Sequence, residues 1–110
     1  MNFTEFGFDA RLMDGIDASN YQQATPIQEK VIPHILAGKD VLAFAQTGTG
    51  KTAAFAIPII HILHSKLNTK REDGIKCVVM VPTRELAIQI NGVFQTLAKN
   101  TRVNSFSVFG

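Results

Sequence analysis

Cysteine is almost absent from this chain, and that settles one question at once. Cys77 is the only one in 110 residues, so no internal disulfide can form. Long apolar runs are missing too: none approaches the ~20 residues that a membrane-spanning helix needs. The opening Met1-Asn2-Phe3-Thr4-Glu5 lacks the basic start of a secretory signal. Charge of one sign is also scarce. A net charge of +2 does not by itself point to a polyanionic partner. There is no internal repeat, low-complexity tract or linker. What remains is a chain that is 45% hydrophobic and 18% charged, the composition of one globular domain with a modest core. These features lead to the expectation of a cytoplasmic protein without a membrane segment, with Cys77 a buried strand residue inside Cys77-Val-Val-Met80.

The stretch Val41-Leu-Ala-Phe-Ala-Gln-Thr-Gly-Thr-Gly-Lys-Thr52 carries the strongest chemical signal. A short apolar run reads as a buried strand, a glycine-containing turn follows, and Lys51-Thr52 opens a segment with helical spacing. That order makes a phosphate-binding loop whose backbone amides converge on an anion. Gly48 and Gly50 allow the tight turn and close approach to a phosphate. Lys51 is assigned to the β/γ-phosphates and the Thr52 hydroxyl to Mg²⁺. The first position is Ala45 where the usual pattern has Gly. An ordinary strand-to-helix turn would leave Lys51 opposed by the helix dipole at roughly 0.3–1 kcal/mol. A dinucleotide fingerprint also fits Gly48-x-Gly50-x-x-Ala53, with Glu72 and Asp73 as its acidic pair. Those two precede the next apolar run instead of ending it, which counts against that reading.

Around this stretch the chain divides into helical and strand-like segments. Asp9 caps a short helix with Leu12, Met13 and Ile16 on one face, and Phe3, Phe6 and Phe8 read mainly as core contacts. Thr25, Pro26 and Gln28 fit N-cap, N1 and N3 of a second helix, a capping box that by itself would account for Gln28 structurally. Pro33 is expected to kink that helix and Gly38 to stop it. After the loop a helix runs through Ile59, Ile62 and Leu63, with Pro58 expected to bend or restart it. His61 and His64 on this helix read as solvated residues, with no metal assigned. Asn68 to Gly74 reads as a surface loop. Lys76–Val81 reads as a second buried strand, Thr83–Ala87 as the start of a helix bearing Leu86, Ile90, Val93, Phe94 and Leu97, and Val103–Phe109 as a third strand. Strand–helix alternation of this kind predicts a parallel sheet covered by helices.

Three stretches together resemble the DEAD-box RNA helicase family. Tyr21-Gln-Gln-Ala-Thr-Pro-Ile-Gln28 is similar to its Q motif, Ala45–Thr52 to motif I, and Pro82-Thr-Arg-Glu-Leu-Ala87 to motif Ia, in the family's order and spacing. The resemblance runs from Phe3 to the last residue. It implies an α/β fold: part of a RecA-like P-loop NTPase domain, three-layer αβα with a parallel sheet. Residues 1–38 would form N-terminal helices with the Q motif, and residues 39–110 the P-loop β/α units. It also implies ATP and Mg²⁺ as cofactors. Gln28 would read the adenine edge, as an amide does bidentately, Tyr21 would stack on it, and Phe3 matches the isolated upstream aromatic. Gln46, Thr47, Gly48, Thr49, Gly50, Lys51 and Thr52 would hold the phosphates and metal. Pro82, Thr83 and Arg84 would touch the RNA backbone without reading sequence. Asn20 stands where the family usually has Gly, and Ala24 where it usually has Pro.

Phosphoryl transfer also needs a carboxylate at a strand end, and none of the strands read here supplies one; Asp40 precedes its strand. The Asp-Glu-Ala-Asp and Ser-Ala-Thr motifs and a second RecA-like domain are absent from these residues. The expectation is therefore the first ATP-binding part of an ATP-dependent RNA helicase, inactive in hydrolysis by itself. An incomplete sheet would leave an edge for self-association. A stand-alone, non-enzymatic adenine-nucleotide-binding module is the alternative, and a P-loop NTPase of unrelated purpose a third.

Overall fold

The computed structural model describes residues 1–43, 50–69 and 74–108. A 3-10 turn, Phe3–Phe6, leads into α1 (Ala10–Ala18), α2 (Pro26–Leu36), α3 (Lys51–Thr69) and α4 (Arg84–Leu97). Each start has a local cause. Asp9 accepts from Arg11 N at 2.9 Å and caps α1. Thr25, Pro26 and Gln28 form the expected capping box of α2, and Thr83 Oγ1 accepts from Leu86 N at 3.2 Å to cap α4. Gly38, at φ +78, follows the end of α2 in the left-handed region. Both internal prolines are accommodated: α2 continues through Pro33, and α3 runs its full 19 residues through a buried Pro58.

Helix α3 is the spine. At about 28 Å long, it packs against α2, α4 and α1. Its inward stripe is Ala53, Ala56, Ile57, Ile60 and His64, a helical spacing of three and four. Phe3, Phe8, Leu12, Ile16, Ile32, Phe94 and Leu97 complete the core around it. Phe55 approaches Phe94 at 6.1 Å between ring centres. Leu86 differs from expectation, being 39% exposed at the start of α4.

Two findings depart from the sequence reading. His64 is buried, at 1% exposure, and His61 is half-buried against Phe8, so the solvated-helix reading of both is corrected. His64 follows Ile60 by one turn and so inherits the core face. The second concerns the strand segments. Among the described residues, Val41–Ala43, Lys76–Val81 and 103–108 are neither helical nor paired in a ladder; the β-pairing present is one antiparallel bridge, Asn2 with Gln23. Burial along 103–108 still alternates with period two: Val103, Ser105 and Ser107 are half-buried, and Asn104, Phe106 and Val108 exposed. Val78, Met80, Phe106 and Val108 lie 73–90% exposed, and Cys77 is exposed rather than buried. A parallel ladder requires neighbours about 4.8 Å apart. Instead, residues 76–82 and 103–108 both line a cavity of about 1160 Å³ whose lining also includes Ile59, Leu63, Ile90 and Phe94. The helical layer is formed, and extended segments not paired in a ladder lie beside it.

Two glycines give opposite expectations. A Cβ on Gly15 would lie 2.1 Å from Leu97 O, so α1 meets the end of α4 with no room for a methyl group. Gly15→Ala should cost about 1–3 kcal/mol or more in chemical denaturation, as overpacking does. Gly92 lies inside α4 with nothing within 4 Å of such a Cβ. Gly92→Ala should add about 0.5–1 kcal/mol. A pH effect follows from His61. Its pKa is lowered, first by burial, while Asp9 raises it and His64 lowers it. The folded chain then holds fewer protons than the unfolded one. Its contribution to stability is fully present above the ordinary value of 6.5 and is lost as pH falls from there through the lowered folded-state value. Thermal melts should show the midpoint falling on acidification through that range, and His61→Gln should flatten the slope.

Candidate functional site

The first turn of α2 and the first turn of α3 meet through one side chain. Gln28 is 1% exposed. Its Oε1 accepts from Thr25 N at 2.9 Å, and its Nε2 donates to Gly50 O at 3.2 Å. Gly50 O also accepts from Ala54 N at 3.1 Å, the first bond of α3. One carbonyl therefore starts the α3 ladder and receives the amide that caps α2. Gly50 is required here twice over. Its φ of +78 lies in the left-handed region, and a Cβ would sit 2.5 Å from Gln28 Nε2. This is a backbone cradle that any side chain would fill.

Lys51 and Thr52 open α3 directly after that cradle. Lys51 is exposed and Thr52 half-buried, with the helix N-terminus beneath both. Gln46, Thr47, Gly48 and Thr49 lie outside the described residues. The donor set that is described, a helix N-terminus with a lysine and a hydroxyl beside a glycine with no room for a side chain, suits a polyphosphate and its cation.

The N-terminal segment is tied to this corner. Phe3 N donates to Gln22 O at 3.3 Å, Ala24 N to Met1 O at 2.8 Å, and the Met1 amine pairs with Glu29 of α2 at 2.9 Å. The hydrogen bond to Glu29 holds that amine above its ordinary pKa. The Phe3 ring is 1% exposed and lies 6.2 Å from Tyr21 and 6.1 Å from Phe6. Tyr21 is half-buried and keeps an open side. The two departures in this turn have physical explanations. Asn20 adopts φ +62, the conformation glycine takes freely and asparagine tolerates best among other residues. Ala24 supplies the amide bonded to Met1 O, which a proline there would lack.

Pro82, Thr83 and Arg84 form a separate exposed corner at the start of α4. Capping uses one lone pair of the Thr83 hydroxyl and leaves its O–H as a donor. The contacts of the described residues join Gln28 to Thr25 and Gly50, and Phe3 to Tyr21. The sequence reading missed three participants: Met1 and Glu29, joined across the N-terminal segment, and His64. Only His64 carried a local signal, its spacing from Ile57 and Ile60.

Residues 25–110 match the model of the DEAD/DEAH box helicase family. The chain is 43% identical over 108 residues to the ATP-dependent RNA helicase CshA of Listeria monocytogenes, covering 98% of this chain and 20% of that protein. It is 43% identical over 109 residues to the DEAD-box ATP-dependent RNA helicase RhpA of Helicobacter pylori, covering 99% of this chain and 21% of that protein. Among solved structures, the RNA helicase Prp28 of Chaetomium thermophilum bound to ADP superposes with a TM-score of 0.84 and 34% identity, over 99% of this chain and 26% of that one. A DEAD box protein of Methanococcus jannaschii gives 0.80 and 36%, over 94% and 27%. The fold is thus that of the RecA-like domains of these helicases. This chain spans about a fifth of the length of the relatives it matches. It belongs to the DEAD/DEAH box helicase family.

Proposed function

We propose that these residues are the nucleotide-binding part of an ATP-dependent RNA helicase, and that the Gln28–Gly50 junction couples base recognition to phosphate binding. The observation that carries this reading is the buried amide. Oε1 and Nε2 each use one hydrogen-bonding position on the protein, and each retains one. The remaining acceptor and donor match the exocyclic amino group and ring nitrogen of adenine, which guanine does not offer in the same order. Tyr21, backed by Phe3, supplies the stacking face. Lys51 would hold the β/γ-phosphates together with Gln46, Thr47, Gly48, Thr49 and Gly50, and Thr52 would ligate Mg²⁺. When bound, that cation neutralises charge on the phosphates.

In the same reading residues 1–38 carry the base reader and residues 39–110 the phosphate and RNA contacts. Pro82 shapes the turn at which Thr83 and Arg84 meet an RNA phosphate. The Thr83 hydroxyl and the amides at the start of α4 suit an anion and carry no base information. The whole protein, in the cytoplasm, would couple ATP binding and hydrolysis to unwinding or remodelling of RNA. Hydrolysis belongs to the whole protein, because none of the strand segments read from the sequence ends in a carboxylate. Uncovered segments such as 103–108 offer an edge for self-association.

Calorimetric titration with ADP and GDP in Mg²⁺ tests the reading. ADP should bind and GDP should not. Gln28→Ala should weaken ADP by about 1–3 kcal/mol, the worth of a good bidentate base contact, and abolish the preference. Equal binding of both nucleotides by the unaltered chain would reduce Gln28 to a helix cap. A second expectation concerns Gly50→Ala: it should abolish ADP binding and lower the melting temperature together, because the methyl group displaces the Gln28 amide. An ADP affinity within about two-fold of the unaltered chain would refute the cradle.

A further inference from the structure

Gln28 and His64 are the two buried polar side chains among the described residues, and the nucleotide reading uses only the first. His64 sits in the middle of α3, where three parts of the chain converge. Its Nδ1 accepts from the backbone N–H of Arg102 at 3.1 Å, at the entry to segment 102–108. Its Nε2 lies 3.4 Å from Asp9 Oδ1, at the cap of α1, without hydrogen-bond alignment. An Nδ1 that accepts carries no proton, so the neutral ring is the Nε2–H tautomer.

We propose that His64 is a positioning residue and a proton-operated latch: the neutral imidazole fastens segment 102–108 to α3, and protonation releases it. The chemistry is one of atoms. The imidazolium has N–H at both nitrogens and no lone pair, so the Arg102 amide would face another donor at 3.1 Å. The gain on protonation is on the other side, where Nε2–H faces Asp9. That carboxylate oxygen is already engaged by Arg11 N. A charged ring is therefore drawn towards α1 and away from the 102 amide. Among the described residues, the charged and titratable groups beside it are Asp9 from α1 and His61 from α3, while Lys66 of α3 and Arg102 of the latched segment are exposed. Arg84 and Glu85 are the only charged residues of α4, and they stand exposed at its first turn, while Glu29, Lys30 and His34 of α2 and Arg11, Asp14 and Asp17 of α1 are also exposed.

What the latch holds is the position of a strand-like segment. Beyond Arg102 the segment is attached to α4 by Gln95 Nε2 to Ser105 O at 3.3 Å and by the Ser105 hydroxyl to Asn91 Oδ1. His64 is thus one tie between the head of this segment and α3, the helix that begins at Lys51. Loss of that bond would loosen the segment where it enters the cavity it lines. This inference is independent of which nucleotide or nucleic acid the protein binds.

Two measurements on the unaltered chain test it. Long-range nitrogen–proton spectra of the His64 ring across about pH 8 to pH 5 read the tautomer and the titration. Amide hydrogen exchange at Arg102, corrected for the intrinsic pH dependence, reads the latch. The expected result is an Nε2–H tautomer at high pH, with Arg102 protection falling at least about ten-fold at the midpoint of His64 titration. An Nδ1–H tautomer, or Arg102 protection that ignores His64 titration, would overturn the proposal. In His64→Asn the side-chain oxygen takes the place of Nδ1 and cannot titrate. Protection at Arg102 should then persist across the range, and a pH-dependent loss surviving in that variant would refute the latch. If the variant does not fold, the two measurements on the unaltered chain decide alone.

Discussion

The junction between α2 and α3 rests on one buried amide. Gln28 is withdrawn from water, so each of its unmade hydrogen bonds would cost about 1–3 kcal/mol. Thr25 N and Gly50 O remove most of that cost, and both are backbone groups that cannot rotate away. The geometry is therefore over-determined. The cap places Gln28, Gln28 places Gly50, and Gly50 places the first turn of α3 with Lys51 and Thr52. The conformation of Gly50 and its lack of a side chain belong to the same constraint, because the space a Cβ would fill is where Nε2 lies.

A buried amide that is only half used differs from one that is saturated. If every donor and acceptor were spent on protein, the site would be a structural clamp and nothing more. With one position left at each atom, the amide keeps an acceptor and a donor for a further planar partner, and because bonds along a shared chain polarise one another, a bond made there would be felt at Gly50 O. That effect would need no movement of a helix.

Much of this corner was legible in the sequence because its causes are local. Thr25-Pro26-x-Gln28 specifies a helix start within four residues, Gly50-Lys51-Thr52 a turn into a helix within three, and Asp9 and Thr83 announce their own helices. Asn20 was legible only as an oddity until its φ of +62 explained why a glycine-like residue stands there. The failures are non-local. The bridge from Asn2 to Gln23 and the pair of Met1 with Glu29 join residues more than twenty apart, and nothing in either partner announces the other. The strands were legible as apolar segments, but a ladder depends on neighbours, and periodicity within one segment does not supply them. His64 was misread because its chemistry was weighed before its phase. Counted from Ile57 and Ile60, it falls on the buried face.

That phase also explains why a histidine is tolerable in the core. A leucine at position 64 would fill the face but leave the Arg102 amide without its acceptor, at the point where the chain leaves α4 for segment 102–108. A serine or threonine is too short to reach it from α3. A carboxylate would reach but would stand beside Asp9. The neutral imidazole meets all three demands, being apolar in its ring, an acceptor at Nδ1 and a donor towards Asp9 at Nε2. The two buried polar residues among those described thus have one logic. Each is a planar group with an acceptor and a donor, inserted where a helix face must hold the backbone of another segment. Gln28 holds the start of α3 and His64 its middle, so α3 is fixed by polar bonds at two points along an otherwise apolar stripe.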